Sequence, residues 1–155
     1  MRALREHPEA FGSSFEEEQG DDMRRMIGVP PNVSLGGFVG DRLVAMAGYV
    51  VSPRVKLRHK GHVVGVYVAP EWRGSGLALA LLGRLVAEAR AAGLQILTLS
   101  VTVGNPAARR LYRRLGFVTY GTAPGSLLVD GVPWDEELMA LMLDDPSVEA
   151  GTRPR

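Results

Sequence analysis

The sequence predicts an α+β fold: one mixed α/β domain, a sheet with both parallel and antiparallel strands and helices on both faces. Three observations lead there. Runs rich in β-branched residues at 34–39, 43–51, 61–68 and 94–103 have the length and the bounding glycines of strands. A helical segment follows each of the last two runs, and two such βα units bring their strands side by side in parallel. A chain of 155 residues, 46% of them hydrophobic, suits one core.

Each element has a local reason. Residues 2–7 read as a short helix that Pro8 stops. Ser13 or Ser14 caps a second helix, with Glu16, Glu17 and Glu18 in its first turn. It runs to Met26 or Ile27, where Gly28, Pro30 and Pro31 end it. Ser34–Val39 and Leu43–Val51 form an antiparallel hairpin about Gly40–Asp41–Arg42. Pro53–Lys60 is a polar, basic loop, and Gly61–Val68 is the third strand. A helix from about Ser75 to Ala92 stops at Gly93. Leu94–Val103 is the central strand. Asn105 then caps a helix with Pro106 in its first turn, which ends at Leu115 and Gly116. Phe117–Thr122 and Glu136–Leu143 are the last strands, with a turn at Asp130–Gly131 in the connection between them. The domain is expected over 1–143, with a polar, frayed tail over 144–155.

Composition narrows the function classes. With 18 basic and 17 acidic residues the net charge is +1, so no general nucleic-acid coat is indicated. The absence of cysteine removes thiolate nucleophiles, disulfides and soft metal sites. His7, His59 and His62 have no carboxylate at helical spacing beside them, so no metal site is expected. No segment is long and apolar enough to span a membrane, and the first residues lack a signal-peptide core. A cytoplasmic protein is the expectation.

The run Val66–Tyr67–Val68–Ala69–Pro70–Glu71–Trp72–Arg73–Gly74–Ser75–Gly76–Leu77–Ala78 joins a strand to a helix through a glycine-rich turn. Glycines at 74 and 76 allow a tight turn and close approach of an anion. The N–H groups at a helix start lack intrahelical partners and lie at the positive end of the helix dipole, which suits a pyrophosphate. Arg73 adds a cation and Ser75 a hydroxyl. A tight turn alone also explains the two glycines. The Gly-Lys-Ser/Thr ending of a P-loop is absent, and Leu79 stands where a dinucleotide fingerprint would have its third glycine.

Arg73–Gly74–Ser75–Gly76–Leu77–Ala78 resembles the R/Q-x-x-G-x-G/A signature of the GCN5-related N-acetyltransferases. Asn105–Pro106–Ala107–Ala108–Arg109–Arg110–Leu111–Tyr112–Arg113–Arg114–Leu115–Gly116–Phe117 is similar to the second signature of that family. The ending Val129–Asp130–Gly131 with Asp135–Glu136–Glu137–Leu138–Met139 also matches, so the likeness covers about positions 3 to 143. It implies a sheet splayed between its two parallel strands, with acetyl-coenzyme A in the wedge. The resemblance assigns the pyrophosphate to Arg73 and the amides of Gly74, Ser75, Gly76, Leu77 and Ala78. It places the pantetheine arm along Val66, Tyr67 and Val68, and further cofactor contacts at Asn105, Ala108 and Arg109. Asn105 is equally explained as a helix cap alone. The four arginines at 109, 110, 113 and 114 either meet the cofactor's phosphate or solvate the helix.

The chemistry implied is direct transfer of an acetyl group to a primary amine in a ternary complex. The acceptor amine is a small molecule or a peptide, with transfer to a protein N-terminus or lysine, or a non-catalytic coenzyme A sensor, as alternatives. Tyr112 matches the family tyrosine that faces the sulfur, as donor to the leaving thiolate; Tyr67 is a second phenol nearby. An aliphatic ammonium with a pKa of about 10.4 must lose a proton, so a base is needed. Glu16 to Glu18, Glu71, Glu136, Glu137, His62 and a water relay are all candidates, and none stands out. Loops 28–33, 53–60 and 123–134 are expected to choose the acceptor. Family members commonly begin with a strand and half a helix ahead of Ala3: either the true start lies upstream of Met1, or the domain lacks that first strand, in which case Ser34–Val39 would be a bare edge or pair with a second subunit in a homodimer.

Overall fold

Six strands follow one another through this computed structural model, which describes residues 28–143. The helices expected at 2–7 and 13–27, and the tail 144–155, lie outside the described residues. Val33–Val39 (β1) and Arg42–Val51 (β2) form the expected hairpin, its two-residue turn opened by Gly40 at φ 56°. After a loop with one 3-10 turn at Val55–Leu57, Lys60–Val68 (β3) lies antiparallel to β2. A helix at Leu77–Ala91 (α1) leads to Ile96–Thr102 (β4), and a helix at Pro106–Arg114 (α2) leads to Val118–Val129 (β5) and Val132–Met142 (β6). The sheet order is β1-β2-β3-β4-β6-β5, with β3 and β4 its parallel pair.

Two expectations change. The helix starts at Leu77 rather than Ser75, because Gly76 sits at φ 84° and a left-handed residue cannot lie inside a right-handed helix. The last strands are far longer than 117–122 and 136–143. Residues 123–134 are the two arms of one hairpin about Asp130–Gly131, not a loop. Pro124 and Gly125 sit in an irregular stretch that shifts register between Ala123 and Leu127 without ending the strand. Asp135 accepts the Gly125 N–H at 2.7 Å, and the Ser126 hydroxyl donates to Glu136 at 2.5 Å.

The core lies on one face of the sheet. Leu82, Leu85, Val86 and Ala89 recur at the spacing of a single helical stripe, and all four are buried. They meet Leu97, Leu99 and Val101 of β4, Met139 and Leu141 of β6, and Tyr112 of α2 in one cluster. Both described helices therefore cover the face to which the odd-numbered residues of β4 point. His62, Thr98 and their neighbours occupy the opposite face.

A buried carboxylate fastens α2 to that core. Glu137 of β6 is ion-paired with Arg109 and Arg113, one helical turn apart, and accepts the Thr119 hydroxyl at 3.0 Å. Burial pushes the Glu137 carboxyl up. The hydrogen bonds from Arg109 and Thr119 and the two guanidinium charges outweigh that and hold it below the usual range. A group with a depressed folded pKa stabilises fully above its unfolded pKa, about 4.3, and the contribution is lost as pH falls through the folded value. Glu137→Ala is expected to destabilise by about 2 kcal/mol at neutral pH, since it leaves Arg109 half-buried and unpaired. Urea unfolding should show that difference shrinking as pH falls below about 4.

Candidate active site

The wedge between β3 and β4 is built by what these strands do not do. They pair only at Lys60↔Ile96, Gly61↔Leu97 and His62↔Thr98, although β3 continues to Val68 and β4 to Thr102. The cause lies in β3. Gly65, at φ 63°, opens a bulge where the register with β2 shifts, and a bulge bends the strand that carries it. Beyond it, Val66, Tyr67 and Val68 follow β2 and part from β4, leaving their β4-facing edge unpaired.

At the end of β3 the chain makes a 3-10 turn, Pro70–Trp72, and passes through Gly74 at φ 77° and Gly76 at φ 84° into α1. Residues 73–76 are exposed, and a Cβ added at Gly74 or Gly76 would meet nothing within 4 Å. These glycines are demanded by conformation, and the space above them is open. Among the described residues, the N–H groups of Gly74, Gly76 and Ala78 have no acceptor. The other two expected amides are loosely engaged: Ser75 N–H reaches Trp72 O at 3.4 Å, and Leu77 N–H reaches Ser75 Oγ at 3.3 Å. The Ser75 hydroxyl donates to Trp72 O at 2.6 Å, so it braces the turn. Arg73 Nε donates to Val68 O at 3.1 Å, tying the cation to the end of β3.

The second signature is placed by its caps. Asn105 Oδ1 accepts the Ala108 N–H at 3.1 Å, so Asn105 is a helix cap and the Ala108 amide is spent on it. Gly116, at φ 96°, closes α2 in a Schellman motif: its N–H donates to Arg113 O and that of Phe117 to Tyr112 O. The apolar contact that accompanies this motif is the edge-on pair of Tyr112 and Phe117, with ring centroids 5.9 Å apart. The helix terminus thus fixes the Tyr112 ring. Desolvation pushes its phenol up to about 12. The hydroxyls of Tyr67 and Tyr49 are buried without a partner among the described residues.

Arg109, expected at the cofactor, is placed otherwise. Its guanidinium is committed to Glu137 and to Val103 O at 3.3 Å. The candidate bases are largely engaged too. Glu71 pairs with Arg42, Glu136 holds Ser126 and Glu137 holds the two arginines; Glu16 to Glu18 lie outside the described residues. His62 is exposed, and its Nδ1 lies 3.0 Å from Thr98 Oγ1. Sequence reading missed Thr98 and the Gly65 bulge, although a glycine inside Val63–Val64–Gly65–Val66 is the usual sign of one. No group of three His, Cys, Asp or Glu among the described residues could hold a metal, and no described helix is long and apolar enough to cross a membrane.

Residues 1–117 match the model of the acetyltransferase (GNAT) family. The chain belongs to that family. An L-methionine sulfoximine/L-methionine sulfone acetyltransferase of Pseudomonas aeruginosa is 44% identical over 59 residues, 38% of this chain and 34% of that protein. An L-amino acid N-acyltransferase of Escherichia coli is 36% identical over 80 residues, 52% of this chain and 46% of that one. The match thus spans a third to a half of these relatives. A putative acetyltransferase of Salmonella typhimurium, solved with its cofactor acetyl-CoA, superposes with a TM-score of 0.70 at 26% identity, covering 84% of this chain and 74% of that one.

The caps give a direct stability test. Gly116→Ala forces a Cβ into a left-handed residue and to 3.2 Å from Leu141 Cδ1. It should cost roughly 1–2 kcal/mol, and Asn105→Ala about 1 kcal/mol, both read from urea midpoints.

Proposed function

We propose that this chain is an acetyl-CoA-dependent N-acetyltransferase that moves the acetyl group directly to the primary amine of a small, amino-acid-like acceptor. The observation that carries the reading is the wedge itself: an unpaired β3 edge leading from three unpartnered amides at a helix N-terminus. That combination fits an extended ligand with a diphosphate at one end. Gly74, Gly76 and Ala78 donate to the pyrophosphate, with Ser75 and Leu77 able to release their long bonds to join them. Arg73 lies beside the phosphates, and the Val66–Val68 edge aligns the arm. The cofactor supplies an activated acetyl thioester. Asn105 and Ala108 act through the capped helix that holds Tyr112. The amino-acid acceptor is suggested by the names of the two curated relatives.

Tyr112 is assigned as the hydrogen-bond donor to the departing sulfur. Its phenol at about 12 stands far above a thiol at about 8.5, so complete proton transfer would be uphill by roughly 5 kcal/mol. A hydrogen bond to charge developing in a dry site needs no such transfer and stabilises the transition state. The outer strand β1, where Phe38 and Val39 are exposed, is the surface assigned to a second subunit in a homodimer.

Thiol release from acetyl-CoA tests the reading against a panel of L-methionine sulfone, L-methionine sulfoximine, other L-amino acids, polyamines and an amine-bearing peptide. Acetylation of an amino acid is expected. Acetyl-CoA binding without turnover on any amine would make the protein a sensor, and turnover on the peptide alone would move the acceptor class. Gly76→Arg should abolish acetyl-CoA binding in calorimetry by filling the space above the turn, with the circular dichroism of a folded protein. Tyr112→Phe should lower kcat about 100-fold while the acetyl-CoA Kd changes less than about twofold; an unchanged kcat removes its assigned role.

A further inference from the structure

We propose that His62 is the general base of the transfer, accepting the acceptor's proton on the sheet face opposite Tyr112; this rests on the acetyltransferase reading above. His62 is the last residue of β3 to pair with β4, so its imidazole stands where the wedge closes. It shares its face with Thr98, whereas Tyr112 belongs to the buried cluster of Leu97, Leu99 and Val101 on the other face. Donor and base thus flank the closed end of the wedge from opposite sides.

The Thr98 hydroxyl lies 3.0 Å from His62 Nδ1 and 3.5 Å from Gly61 O; with its proton turned to Gly61 O, its oxygen receives the Nδ1–H of His62, the tautomer the proposal requires. The lone pair is then on Nε2, which has no partner among the described residues and is free to accept a proton. Burial lowers the imidazole pKa, and Glu136 of β6 opposes that from the same side. Glu136 is itself held by Ser126 at 2.5 Å. Lys60, two residues back, is the other charged group on this face of β3; Val50 of β2 and Thr98 of β4, its partners across the sheet, are uncharged. The net shift favours the neutral form of the imidazole. On the same face a groove of about 580 Å³ runs from Thr98, the residue that holds His62, toward the amino ends of β3 and β4, with His59, Lys60, Gln95, Tyr120 and Met142 in its wall.

The step balances without any further reagent. His62 Nε2 takes one proton from the ammonium, and the freed nitrogen pair forms the C–N bond to the acetyl carbon. The C–S bond breaks as the second nitrogen proton leaves, and the thiolate takes up that proton. His62 returns its own proton to water.

The test combines variants with two readouts. His62 is exposed, so His62→Gln should fold and bind acetyl-CoA with unchanged Kd. Its kcat on L-methionine sulfone and the rest of the panel should fall at least about 100-fold. The wild-type kcat should drop on the acid side with a midpoint below about 6.5; that limb should vanish in His62→Gln and move to lower pH in a partly active His62→Glu. In ¹⁵N NMR the His62 ring should be the Nδ1–H tautomer, and Thr98→Val should lose that preference. A His62→Gln enzyme with wild-type kcat, or an Nε2–H ring in the wild type, overturns the inference while leaving the acetyltransferase reading intact. A wild-type protein that releases no thiol with any amine overturns both.

Discussion

The parallel pairing of β3 and β4 lasts for three register positions, and the arrangement of the site follows from its early end. Backbone N–H and C=O groups are strong, obligatory hydrogen-bonding groups, so a strand edge without a neighbour is costly unless water or another chain completes it. Most proteins cover or blunt such an edge. Here it is internal to the sheet, flanked by two helices, and long enough for an extended arm. The bulge at Gly65 makes the edge available while β2 still holds the other side of β3, with Ala45↔Val68 and Met46↔Tyr67 in register. The opening is therefore held by one strand that stays paired, and it does not depend on the two parallel strands being mobile.

The same divergence brings the two helix ends into use. Because β3 ends in a tight turn and α1 begins at Leu77, the first-turn amides stand beyond the carboxyl end of the strand. Ligands of open α/β sheets gather in that position. α2 starts beyond the carboxyl end of β4 and is locked by its own cap, its Schellman ending and the Glu137 ion pairs. Three local devices orient one tyrosine. Arg109 illustrates the point: its charge serves to fasten the helix.

Much of this was legible in the sequence because it is local. The hairpin about Gly40–Asp41, the glycine turn, the Asn105 cap and the Gly116 stop each follow from neighbouring residues whose conformations are restricted. The parallel pair followed from two consecutive βα units. The misread parts depend on distant partners or on one dihedral. Pro124 and Gly125 look like a loop, yet β6 holds them in a strand through Asp135, ten residues away. Arg109 and Glu137 are 28 residues apart, and no spacing announces their pairing. The helix start moved because Gly76 is left-handed, and a glycine's residue type permits either hand. Thr98 looked like any alternating strand residue until its register placed it beside His62.

The unequal solvation of the two sheet faces suits the chemistry better than equal exposure would. Burial raises the Tyr112 phenol to about 12, so it stays protonated at neutral pH. A phenol so placed is a poor acid but a dependable donor, and a dry surrounding strengthens each hydrogen bond it gives. The amine side has the opposite need. An incoming ammonium is stable only in water, and a proton taken from it must be handed on to water. An exposed imidazole held by a threonine meets that need, whereas a buried carboxylate such as Glu137, tied to two arginines, cannot. The sheet, pinched shut at His62 and Thr98, keeps the wet face and the dry face apart at the point where, on the proposed reading, one group meets the incoming nitrogen and the other the departing sulfur.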